Sequence, residues 1–108
     1  MSEQDEARVV QAVEKRLFID GKWVDAAEGR TFEVADPATG IALCSVADAS
    51  PADGKAALDA AVAAQPDFAA LSPRERADIL TRSYELLHER VDDLALLMTL
   101  EMGKPLAE

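Results

Sequence analysis

Few side chains in this chain are suited to covalent or proton-transfer chemistry, and none sits in a pattern that would activate it. The single cysteine, Cys44, falls in "IALCSVA" between Leu43 and Val46. A nucleophilic thiol needs a histidine or cation beside it to hold the thiolate, so Cys44 reads as an inert, buried strand residue. The single histidine, His88 in "LLHER", lies toward the end of a helical pattern, where it serves the helix dipole better than it serves acid–base catalysis. Asp92 and Asp93 are adjacent and so point about 100° apart on a helix, which suits a helix start rather than a paired-carboxylate site. "MGKP" carries a Gly-Lys pair without the upstream glycine and Ser/Thr of a phosphate loop, and no GxGxxG is present. No residue here is assigned a catalytic or coenzyme-binding role.

The elements that would position any site are clearer. Asp20-Gly21 divides "LFIDGKWV" into two short apolar runs, the signature of a type I′ hairpin with strands at 17–19 and 22–24. A second extended pair flanks Asp36-Pro37-Ala38-Thr39-Gly40, where proline sets φ for a turn and glycine frees its exit. The two hairpins are expected to form one small antiparallel layer. From residue 50 the period changes. Ser50-Pro51-Ala52-Asp53 and Ser72-Pro73-Arg74-Glu75 both place a hydroxyl at the N-cap, proline at N1 and a carboxylate at N3. The first helix is expected from about Pro51 to Gln65, stopped by Pro66, and Ser72 is expected to be the more valuable cap because Gly54 already weakens that first helix. The second has one apolar face through Leu80, Tyr84, Leu87, Val91, Leu94 and Met98, with Asp92-Asp93 suggesting a break near Arg90. Ile79, Leu86, Leu96, Leu97 and Leu100 lie off that face, so the apolar arc asks for cover on two sides. The fold class is α+β: two hairpins, then two or three helices.

At 108 residues the chain makes at most one domain, and its apolar 49% is rich in alanine, which buries little area per residue. The net charge of −10, without a Lys/Arg cluster, argues against nucleic acid or an anionic membrane as partner. The acidic "MSEQDEARVV" start is unlike a signal or transit peptide, and the expected location is the cytoplasm. Residues 1–16 read as a loosely attached charged arm, and 17–108 as the structured part.

The order and wording of "DGKWV", "DPATG", "SPRERADIL" and "LEMGKPLAE" resemble the N-terminal segment of NAD(P)-dependent aldehyde dehydrogenases, most similarly the succinate-semialdehyde branch. The resemblance spans 17–108 and implies the lead-in to an α/β coenzyme-binding domain, truncated before its catalytic residues. Asp36 stands where the family has Asn before proline, and Gln65 and Phe68 where it commonly has Phe and Trp. The resemblance implies a parent that oxidises a small aldehyde, such as succinate semialdehyde, with NAD or NADP and assembles as a homo-oligomer. It implies no coenzyme for this segment alone. The alternative is a stand-alone interaction module or gene remnant. In several family members a monovalent cation is held partly by the carbonyl before the Asn-Pro turn and by the acid of "LE-x-GKP"; those positions are Ala35 and Glu101, although a solvated helix-end acid also explains Glu101. With the helix at 91–102 uncovered, the chain is expected to self-associate through it or to stay partly molten, with that helix exchanging its amide protons fastest among the helices.

Overall fold

A computed structural model describes all 108 residues. Its elements run α1 (Glu3–Ala12), β1 (Leu17–Ile19), β2 (Lys22–Val24), β3 (Thr31–Ala35), β4 (Ala42–Ala47), α2 (Pro51–Ala70), α3 (Pro73–Glu89) and α4 (Val91–Met102). The strands β1 and β2 pair antiparallel as Leu17↔Val24, Phe18↔Trp23 and Ile19↔Lys22. Their turn has φ of 53° at Asp20 and 74° at Gly21, the paired positive values of a type I′ turn. β3 and β4 pair from Thr31↔Ala47 to Ala35↔Ala42, with an irregularity between Val34 and Ala35. In the turn between them the Asp36 carboxylate accepts from the Ala38 N–H at 2.8 Å, and the Gly40 N–H donates to the Asp36 carbonyl at 2.7 Å. The expected single layer is instead two separate two-stranded sheets. The Asp48 N–H donates to the Arg30 carbonyl and the Ala47 N–H to the Lys15 carbonyl, which ties β4 to the segment before β1 without joining the two sheets.

The helix entries follow the capping pattern. Ser50 and Ser72 each accept from the backbone N–H three residues on, and Asp53 and Glu75 reach back to the cap N–H. Two departures from the sequence reading concern the helices. Pro66 does not stop α2, which continues to Ala70. Proline removes one N–H and crowds the carbonyl four residues earlier, but alanine-rich turns on both sides supply enough propensity to carry the helix across. The stop falls at Leu71, extended at ψ 148° before the next Ser-Pro cap. The second departure is α1. Ser2 and Asp5 form a third capping box, and the helix docks on α4 rather than hanging loosely. Arg90, with φ −118° and ψ 14°, makes the break between α3 and α4.

The core sits at the α1–α4 contact. Val9, Leu96 and Leu100 are buried there, with Val10 and Leu43 packed on the edge. Across its rim the Arg8 guanidinium donates to both Asp93 oxygens, at 2.9 and 2.8 Å. Only six residues are buried in all, none of them on α3. The accessible surface is 8150 Å², against about 5,800 Å² for a compact monomer of this mass. The radius of gyration of 17.0 Å likewise exceeds the roughly 13 Å of a compact domain. Leu58 and Val62 on α2 and Leu80, Tyr84 and Leu87 on α3 all stand open to solvent. The exposed apolar surface is therefore centred on α2 and α3 as much as on 91–102. Within that last stretch Leu96 and Leu100 are covered, while Val91, Met98 and Met102 are not. α4 carries two of the three side chains of the core cluster, which argues against its being the helix that exchanges fastest.

Candidate functional site

The corner where the Asp36–Gly40 turn meets the end of α4 is where the fold brings distant sequence motifs together. Gly103 closes α4 in the left-handed conformation at φ 75°, and its N–H donates to the Thr99 carbonyl at 2.9 Å. The Thr99 hydroxyl donates to the Lys104 carbonyl at 2.6 Å, which fixes the path away from the helix. A Cβ at position 103 would lie 3.3 Å from Pro37 Cγ. Glycine thus serves twice here, for its positive φ and for the close approach of the turn. Ala35 and Glu101 each precede one side of that contact by two residues. Both are exposed, and the Glu101 carboxylate enters no hydrogen bond or ion pair within the chain. A peptide carbonyl and a carboxylate are hard oxygen donors suited to a weakly held cation, though two of them do not complete a coordination shell. No three His, Cys, Asp or Glu side chains cluster as a metal site.

The other chemistry-bearing residues are dispersed. Cys44 lies half-buried in β4 opposite Val34, and no hydrogen bond ties it to a base. His88 is exposed in the last turn of α3 and packs its ring on Tyr84, centroids 4.4 Å apart. Asp92 and Asp93 open α4, and Asp93 alone has a partner. The Arg8 hydrogen bonds hold the Asp93 carboxyl below its usual range, and the same contact raises Arg8. Asp53 is held low first by the backbone hydrogen bond from Ser50, then by that from Ala27. The contact to Ala27, at 3.1 Å to each oxygen, ties the start of α2 to the loop after β2. Sequence reading missed it because the partner is a backbone N–H, which leaves no residue-type signal.

Tyr84, Leu87, Val91, Leu94, Met98 and Leu106 line an open apolar groove of about 460 Å³ between α3, α4 and the last residues. The groove is a surface for packing rather than a site with convergent polar groups.

Comparison with known proteins agrees with this geometry. Residues 23–108 match the model of the aldehyde dehydrogenase family. The chain is 47% identical over 94 residues to a glutarate-semialdehyde dehydrogenase of Pseudomonas aeruginosa, covering 87% of this chain and 20% of that protein. It is equally 47% identical over 94 residues to the NADP(+) succinate-semialdehyde dehydrogenase of Escherichia coli, again with 87% and 20% covered. The crystal structure of a Burkholderia pseudomallei succinate-semialdehyde dehydrogenase superposes with a TM-score of 0.86 at 43% identity, over 89% of this chain and 20% of that one. The chain spans about a fifth of the length of the relatives it matches.

Proposed function

The chain belongs to the aldehyde dehydrogenase family, and from that premise we propose that it serves as the N-terminal portion of an enzyme that oxidises a small semialdehyde, of the succinate or glutarate type, to the carboxylate with NAD or NADP. The observation that carries this reading is the 47% identity over 94 residues shared with two semialdehyde dehydrogenases. The surface supports it too. An accessible area about 2,300 Å² above that of a compact monomer is the scale of a large packing interface. In this reading the segment's task is architectural: its helices present apolar faces for the rest of a coenzyme-binding domain to cover. The residues of 17–108 form that contribution and 1–16 an appended arm whose helix covers α4. Chemistry belongs to the remainder of such an enzyme, and no residue here is given a catalytic role.

The same reading gives the Ala35 carbonyl and the Glu101 carboxylate a share in holding a monovalent cation, supported by their position at the Pro37–Gly103 contact. It places the parent in the cytoplasm as a homo-oligomer, and has the chain, when alone, associate with itself through its open apolar faces. No helix is long and apolar enough to cross a membrane. The reading is tested by assaying the purified chain with succinate semialdehyde and either coenzyme. No aldehyde-dependent NADH or NADPH is expected. Reduced coenzyme that scales with the protein and survives Cys44→Ala would overturn the assignment of an architectural role.

A further inference from the structure

Two of the five glycines follow an aspartate, at Asp20-Gly21 and Asp53-Gly54. The fold puts these two chemically identical steps in opposite surroundings. Asp20 is exposed at the hairpin tip and is the only non-glycine residue with positive φ, a conformation that L-residues hold at a cost. No donor of the chain reaches its carboxylate, and the Gly21 N–H makes no hydrogen bond. A Cβ at Gly21 would meet nothing within 4 Å, so no distant part of the chain packs on that position of the turn. The strands on either side are three residues long, and a two-stranded ribbon that short is marginal. Opening of the turn lets Asp20 rotate until its Cγ faces the Gly21 nitrogen.

Asp53 has none of this freedom. Its residue is buried, and its carboxylate accepts from the Ser50 N–H at 2.8 Å, the Ser50 hydroxyl at 3.0 Å and the Ala27 N–H at 3.1 Å. The Gly54 N–H is itself engaged by the Ser50 carbonyl at 3.1 Å. Those bonds favour the ionised carboxylate and hold it on Ser50 and Ala27, so attack by the Gly54 nitrogen requires breaking them.

We propose that Asp20-Gly21 is a site of spontaneous isomerisation to isoaspartate, and that the α2 cap protects Asp53-Gly54 from the same reaction. The Gly21 amide nitrogen bonds to Asp20 Cγ and gives up its proton, while one carboxyl oxygen leaves as water, closing a five-membered succinimide. Water then adds to either carbonyl of the ring. Breaking the bond from nitrogen to Cγ restores aspartate. Breaking the bond from nitrogen to the α-carbonyl leaves the chain running through the former side chain, with the α-carboxylate free. One water leaves and one returns, and nothing is oxidised or reduced. The product carries an extra backbone methylene, which a two-residue turn cannot absorb without losing the Ile19↔Lys22 pair. The tilted packing of Phe18 on Trp23, centroids 4.9 Å apart, depends on that register. A carboxyl methyltransferase that recognises isoaspartate would find its substrate here.

The test incubates the full 108-residue chain at physiological temperature and pH. Isoaspartate is then counted by enzymatic carboxyl methylation and located by electron-driven fragmentation of peptides. Position 20 is expected to accumulate at least about tenfold more isoaspartate than position 53, the ratio that breaking one charge-assisted hydrogen bond would impose. Trp23 fluorescence should drift on the same time course. Asp20→Glu, which would need a six-membered ring, should suppress both signals. In urea the two sites should react alike, because the fold makes the difference. Equal isoaspartate at 20 and 53 in the folded chain, or none at 20, would overturn the proposal. Persistence of the difference in urea would overturn the protective role of the cap.

Discussion

Truncating Leu96 to alanine tests whether the chain's small core lies where α1 meets α4. Leu96 is 4% exposed and shares its cluster with Val9 and Leu100, edged by Val10 and Leu43. Buried Leu→Ala changes cost roughly 2–5 kcal/mol, the spread reflecting how far the site collapses. A cluster of three buried side chains close to solvent can close around the vacancy, so the lower part of that range, about 2–3 kcal/mol, applies. For a chain of this length that corresponds to a fall in Tm of about 10 °C. Met98, two residues along the same helix, is 52% exposed, and Met98→Ala should stay within about 0.5 kcal/mol. Thermal and urea unfolding followed by far-ultraviolet circular dichroism would measure both, at several protein concentrations. Hydrogen exchange should show α1 losing protection together with α4 in the Leu96 variant. Equal losses from the two substitutions would refute the reasoning, because the Met98 face would then be covered in solution as well.

Other expectations follow from the caps, the proline and the carboxylates. Ser72→Ala should cost about 1 kcal/mol, whereas Ser50→Ala should cost nearer 2, because the Ser50 box is buried, which reverses the order expected from Gly54 alone; equal losses would show that burial adds nothing. Pro66→Ala should stabilise α2 by about 1–3 kcal/mol by restoring the missing bond, read as a higher Tm and stronger helical dichroism; no gain would mean the flanking turns had already absorbed the defect. Asp5, Glu14, Asp53, Glu75 and Asp93 are all held below their ordinary values by hydrogen bonds. Their contribution is therefore complete above the ordinary carboxylate range, about pH 4–5, and is lost as pH falls through the lower native values. An acid titration should melt α1 along with its Arg8–Asp93 tie, and Asp93→Asn should remove part of that pH dependence; an unchanged profile would dismiss the tie.

Sequence was a good guide wherever a short stretch decides its own conformation. Asp20-Gly21 dictates a type I′ turn through positive φ, and Ser-Pro-x-Asp and Ser-Pro-x-Glu satisfy helix-end donors from within four residues. Gly103 likewise closes α4 by local geometry. What was not legible depends on partners far away in the chain. The weak apolar spacing of Val9 and Val10 gains meaning only when Leu96 and Leu100 arrive to bury it. The reach of Asp53 to Ala27 crosses 26 residues to a backbone donor. Pro66 was misread for another reason, since a local stop signal lost to the summed propensity of the alanines around it. At the candidate site, the dispersal of Cys44 and His88 could be foreseen from their neighbours. The meeting of Pro37 with Gly103 was not legible from residue types or spacing; only the family resemblance, which paired Ala35 with Glu101, linked the two segments.

The central claim is that this chain supplies the N-terminal architecture of a semialdehyde dehydrogenase. It is tested most directly by replacing the matched 94-residue segment of the Escherichia coli succinate-semialdehyde dehydrogenase with the corresponding residues of this chain. Activity of the purified chimera is then measured with succinate semialdehyde and NADP. If the open faces of α2, α3 and α4 are shaped to be covered by the remainder of such an enzyme, the chimera folds, assembles and reduces NADP at a rate within about tenfold of the parent, a difference of about 1.4 kcal/mol in barrier. A soluble chimera with parental assembly and no coenzyme reduction, or one that fails to fold while the parent does, would contradict the account.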